Sequence, residues 1–108
     1  MKLQKYVFMW DGAIAKVCRR MRIPMLNASD IFTLYAVHYL PLHCSRQGIH
    51  RHAVRMKHPL SINSVGESAT RLKAAGLLQE EAGRLSITSE GRSFIAQVRM
   101  YLLNKRLS

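Results

Sequence analysis

Acidic residues are scarce: six Asp and Glu stand against 17 Lys and Arg in 108 residues, a formal net charge of +11. No spaced pair of carboxylates suits acid–base work. The signatures G-x-x-x-x-G-K-[ST], G-x-G-x-x-G and G-x-S-x-G do not occur. A binding protein without a cofactor is therefore expected, not an enzyme. The two cysteines, Cys18 and Cys44, lack C-x-x-C spacing, which argues for reduced thiols and a cytoplasmic setting. Apolar runs are short, and none approaches the ~18 residues needed to span a bilayer. Tyr6-Val7-Phe8-Met9-Trp10 is too brief for the core of a secretory signal, and no small-residue cleavage site follows it. Repeats and low-complexity tracts are missing too. What is present is a hydrophobic fraction of 48%, ordinary for a folded chain, at a length suited to one domain over residues 1–108. The basic excess points to a polyanionic partner, nucleic acid first and an anionic membrane surface second.

Periodicity divides the chain into an N-terminal helix (1–23), a central region (27–88) and a C-terminal helix (89–106). Leu3, Val7, Trp10, Ile14, Val17 and Met21 recur at steps of four and three, a helical stripe interrupted by Gly12 and ended by Pro24. Asn27 or Ser29 can cap a second, nearly apolar helix over Ile31–Leu40, which Pro41 closes. A connector with a short extended piece at Gln47–Ile49 leads to a basic helix over Ile49–Lys57, stopped by His58-Pro59. Ser64-Val65-Gly66-Glu67 fits a capping box, Val65, Ala69 and Leu72 share one face behind it, and Gly76 supplies a helix stop. Leu77–Glu80 and Arg84–Ile87 then form a hairpin around Glu81-Ala82-Gly83, and Thr88 caps the last helix. The fold class is mainly α with a small β-hairpin.

Leu72-x-x-x-Gly76-Leu77-Leu78, followed by Leu85-Ser86-Ile87-Thr88-Ser89-Glu90-Gly91, resembles the recognition helix, wing and last-helix entry of bacterial winged-helix regulators. The likeness covers roughly Asn27 to Val98, and the MarR and PadR regulators are the nearest. This chain departs from MarR proteins in its very short hairpin tip. The resemblance implies a winged helix-turn-helix flanked by N- and C-terminal helices. It also implies a sequence-specific regulator that binds double-stranded DNA as a homodimer. On that basis Leu3, Val7, Trp10, Ile14, Val98, Tyr101 and Leu102 are expected at the dimer seam.

In a helix-turn-helix the second helix meets base edges while neighbouring groups hold phosphate. Asn63, Ser64, Gly66, Thr70 and Arg71 are the expected base readers, with Arg71 foremost because a guanidinium can bond guanine O6 and N7 together. Arg51, Arg55, Lys57, Lys73 and Arg84 are expected on phosphate. Five residues of metal-ligand type, His43, Cys44, His50, His52 and His58, lie close in sequence without closed-site spacing, and no metal is expected. A small-molecule effector near Trp10 and Tyr35 is one further option. A protein-interaction module in a DNA-processing assembly is the alternative function, and an RNA-binding winged helix a third, weakened by the lack of a stacking platform. Charge sharpens the question: residues 1–24 carry +5, 25–60 carry +3, 61–88 carry zero and 89–108 carry +3. The helix and hairpin expected to touch DNA are neutral on balance, so Glu80 and Glu81 must point away from phosphate.

Overall fold

Helix stops and one tight turn set the path of this backbone. The computed structural model describes residues 2–40 and 44–107, with side chains described over 12–40 and 44–104. Its helices α1 (Lys2–Met21), α2 (Ala28–Tyr39), α3 (Arg46–Arg55) and α4 (Ile62–Ala74) precede strands β1 (Leu78–Glu81) and β2 (Arg84–Ile87), and α5 (Ser89–Leu107) follows. The fold is mainly helical with one antiparallel hairpin. Among the described residues no helix is long and apolar enough to cross a membrane. The expected closure of α2 at Pro41 lies outside the described residues, as does His43.

Three helices end on a left-handed residue. Arg22 (φ 59°), Lys57 (φ 55°) and Gly76 (φ 79°) each take that conformation. The next N–H then reaches back five residues, from Ile23 to the Cys18 carbonyl (3.0 Å), His58 to Ala53 (2.9 Å) and Leu77 to Leu72 (2.9 Å). This pattern satisfies carbonyls that the helix leaves bare. It is easy for Gly76 and costs about 1–2 kcal/mol at a side chain-bearing residue. The stops therefore precede Pro24 and Pro59, the residues expected to impose them.

Two helix starts differ from expectation. α3 begins at Arg46, because the Ser45 hydroxyl accepts from Gly48 N–H at 2.9 Å and satisfies the first turn. Gln47–Ile49 is accordingly helical, not extended. The strand-like contact falls instead at Cys44, whose carbonyl accepts from Leu85 N–H at 2.6 Å. α4 is capped by Ser61, whose Oγ accepts from Ser64 N–H at 3.1 Å, so Ser64–Glu67 lies inside the helix and forms no capping box. The reciprocal box occurs at α2: Asn27 Oδ1 accepts from Asp30 N–H (2.9 Å), and Asp30 Oδ2 accepts from Asn27 N–H (3.1 Å).

The backbone groups into two units, one made of α1 and its following turn with α5 from Ser93 onward, the other running from Asn27 to Arg92. In the first, Ala13, Ile14, Val17 and Cys18 of α1 and Phe94, Ile95 and Val98 of α5 are buried at helical spacing. In the second, α4 packs on α2, α3 and β1, and β2 packs on α2. Leu34, Ile49, Ala53, Val65, Ala69, Leu72, Leu77 and Leu85 are almost wholly buried there.

The hairpin turns in two residues. Glu81 pairs with Arg84, and both Ala82 (φ 51°) and Gly83 (φ 78°) have the positive φ of a type I′ turn. Its base joins the two motifs that carry the winged-helix resemblance. Thr88 N–H donates to Leu77 O (3.1 Å), Thr88 Oγ1 donates to Gly76 O (2.6 Å), and Gly91 N–H donates to Thr88 Oγ1 (3.0 Å). A Cβ on Gly91 would collide with Leu77 O and lie 2.6 Å from Ile87 Cγ1. Only glycine lets α5 start this close to the strand.

Candidate nucleic-acid interface

α4 presents two unlike faces. Val65, Ser68, Ala69 and Leu72 are buried, whereas Ile62, Asn63, Glu67, Thr70 and Arg71 are exposed. The exposed face lines an open groove of about 680 Å³, and Arg46 of α3 forms its far wall. Asn63 and Glu67 stand four residues apart on this face, and neither side chain makes a hydrogen bond or short ion pair among the described residues, although the Glu67 charge acts on Arg71. Thr70 Oγ1 donates to Gly66 O at 3.0 Å, and Ser64 Oγ accepts from Ser61 Oγ at 3.0 Å. Gly66, expected to admit a close DNA approach, sits beneath Arg46, with Arg46 Nη1 3.5 Å from its carbonyl.

Both arginines of the groove are held by carboxylates. Arg71 Nη2 lies 2.8 Å from Asp30 Oδ1, and its Nε reaches Oδ1 at 3.0 Å and Oδ2 at 3.2 Å. Asp30 is fully buried, so α2 supplies a desolvated anion to α4. The hydrogen bond to Asp30 raises the Arg71 pKa further above its ordinary value. Arg71, expected on guanine, therefore has the Nε–Nη2 edge of its guanidinium occupied within the fold, while its side chain stays 44% accessible.

Arg46 binds Glu80 in the same bidentate way, Nε to Oε2 at 3.0 Å and Nη2 to Oε1 at 2.9 Å, and Lys73 Nζ joins at 2.8 Å from Oε1. Hydrogen bonds from Arg46 and Lys73 pull the Glu80 pKa down to about 2. Lys73, expected on phosphate, is thus paired within the fold. Alternation explains the arrangement. Leu78, Glu80, Leu85 and Ile87 share the inner face of the hairpin, while Gln79, Glu81, Arg84 and Ser86 share the outer one. Glu80 and Glu81 therefore point in opposite directions.

Arg51, Arg55 and Lys57 are exposed on and just beyond α3, and Arg84 is exposed at the hairpin. None of the four makes an ion pair among the described residues. Arg51 and Arg55 are four apart and share a helix face. The histidines follow a different logic: the rings of His52 and His58 pack on Phe32 at centroid distances of 5.9 and 4.4 Å. Among the described residues no three His, Cys, Asp or Glu side chains converge as metal ligands. Cys44 is buried, its Sγ 3.8 Å from Val37 O and 3.6 Å from Leu40 O, and burial pushes its pKa up.

The residues expected at a dimer seam separate into three groups. Ile14 and Val98 are buried within one chain, Tyr101 and Leu102 are half-buried, and the side chains of Leu3, Val7 and Trp10 lie outside the described residues. Lys16 Nζ stands 5.2 Å from the centre of the Tyr101 ring, a cation–π contact linking α1 and α5.

Sequence reasoning missed Arg46 and Asp30. Arg46 falls in the stretch the sequence reads as a connector, although Ser45 ahead of it is a good cap. Asp30 was assigned a first-turn role; nothing local in sequence reveals a partner 41 residues away. Comparison with family models, curated proteins and solved structures finds no match for this chain.

Proposed function

We propose that this protein is a double-stranded DNA-binding regulator of the winged-helix type, acting in the cytoplasm as a homodimer. One observation carries the reading: α4 buries one face against α2 and α3 and offers the other as an open polar groove. Cations without ion-pair partners on α3 and the hairpin belong to the same unit. A helix in that position can enter a major groove while α3 meets the backbone. Exposed Met100 and Leu103 of α5, 57% and 45% accessible, support a second copy as partner for that helix. A second reading, a protein-interaction module, draws on exposed Tyr39, Val54 and Met56, each more than half accessible.

Salt titration of duplex binding tests the proposal. Contacts from Arg51, Arg55, Lys57 and Arg84 to four phosphates would give a log K against log salt slope of about −3 to −4 per protomer. Changing Arg51 and Arg55 to Gln should flatten that slope by about 2. Absence of duplex binding at low salt, or binding indifferent to salt, would overturn the proposal.

A further inference from the structure

We infer that the groove reads bases through Asn63 and Glu67, so that each half-site is defined by an adenine and a cytosine. The inference rests on the DNA-binding reading above and names what that surface recognises. Guanine is ordinarily chosen by an arginine fork bonding O6 and N7. Here the Nε–Nη2 edge of each groove arginine is taken, Arg71 by buried Asp30 and Arg46 by Glu80, which leaves the Nη1 side of Arg71 as its open edge. Lys73, the remaining cation of α4, is on Glu80 as well. Releasing Arg71 to a base would leave a fully buried carboxylate without its cation.

Two side chains of the groove have their hydrogen-bonding groups open, Asn63 and Glu67, the latter near enough to Arg71 to feel its charge. An asparagine amide bonds adenine N6 and N7 together, and a carboxylate accepts from cytosine N4. Thr70 has its hydroxyl turned to Gly66 O, so its methyl and the exposed Ile62 side chain are suited to thymine methyl groups. Four residues along a helix rise about 6 Å, close to two base steps of about 3.4 Å. The adenine and cytosine should therefore lie within about two steps of each other.

The experiment is binding-site selection from a random duplex pool with the purified 108-residue chain, repeated with Asn63→Ala and Glu67→Gln, then competition at fixed salt. Both positions are exposed, and circular dichroism checks that each variant is folded. Asn63→Ala should flatten the adenine preference. Glu67→Gln should change the preferred cytosine to adenine, because glutamine bonds N6 and N7, with a swing of about ten-fold between the two bases. Selection of sites whose base preferences are unmoved by both variants overturns this inference and leaves duplex binding intact. So does a dominant guanine whose preference disappears in folded Arg71→Lys, since lysine lacks the fork. No enrichment from the pool overturns this inference and, if salt-dependent binding is also absent, the functional proposal with it.

Discussion

Replacing Arg71 with alanine removes the only side-chain donor to Asp30 among the described residues, and the cost follows from the geometry. Asp30 is fully buried and receives one backbone N–H, from Asn27, besides its contacts with Arg71. Breaking a buried ion pair from one side costs about 3–5 kcal/mol. The Arg71 side chain is 44% accessible, so water can reach the exposed carboxylate, and about 2–3 kcal/mol is the reasonable figure. With a urea slope of about 1–3 kcal/mol per molar, the unfolding midpoint should fall by about 1–2 M. Asp30→Asn keeps the shape and cap acceptor but leaves no buried charge, so Arg71→Ala in that background should cost less than about 1 kcal/mol. The double-mutant cycle therefore yields a coupling of about 1–2 kcal/mol, read from urea melts followed by circular dichroism. An Arg71→Ala midpoint equal to wild type, or the same loss in both backgrounds, refutes the assignment of Arg71 to positioning α4 on α2.

Glu80 supplies a pH prediction. Its folded pKa lies at about 2, below the ordinary carboxylate value of 4.5, so its pairing stabilises the fold above that value and is lost as pH falls from about 4.5 towards 2. Because Arg46 and Lys73 are each 35% accessible, solvent screening reduces the contribution to about 1–2 kcal/mol. Urea midpoints of wild type and Glu80→Gln should therefore differ at pH 7 and draw together as pH falls from about 4.5 to about 2; an undiminished difference at the acid end would exclude this source. Gly91→Ala places a methyl group against Leu77 O and Ile87 and should destabilise the protein by about 1–3 kcal/mol. In thermal melts that loss lowers Tm by several degrees or more, and an unchanged Tm would contradict the close approach.

The elements were legible where one local signal dominated. Helical periodicity located α1 and the body of α4, a cap signal ahead of an apolar run located α2, and Gly76, Thr88 and the Ala82-Gly83 pair marked the hairpin and its base. Starts were missed where two signals competed. Ser64 with Glu67 imitates a capping box, but Ser61 follows the Pro59-Leu60 segment and reaches the first free N–H groups. The site was harder to read because its electrostatics are tertiary. The chemistry of Arg71 depends on Asp30 across 41 residues, and that of Arg46 on Glu80 across 34. Composition places cations in a segment but not carboxylates beside them.

The same ion pairs divide the six charges of residues 61–88, which sum to zero. Within the segment Glu80 takes Lys73, while Asp30 and Arg46 enter from α2 and α3 to meet Arg71 and Glu80. Of the segment's basic residues only Arg84 is left without a carboxylate partner among the described residues, and Glu67 stands in the groove as an anion without a short ion pair. For a DNA-binding protein this division has a consequence. Long-range attraction must come from Arg51, Arg55, Lys57, Arg84 and the basic flanks, whereas discrimination must come from short-range fit at a face that adds little attraction. Affinity and specificity then reside in different residues. Losses at Arg51 and Arg55 should weaken binding to every sequence about equally and flatten the salt response. Changes at Asn63 and Glu67 should re-rank sequences with the salt slope almost unmoved. A protein that mixed the two roles in one arginine-rich helix would show neither separation.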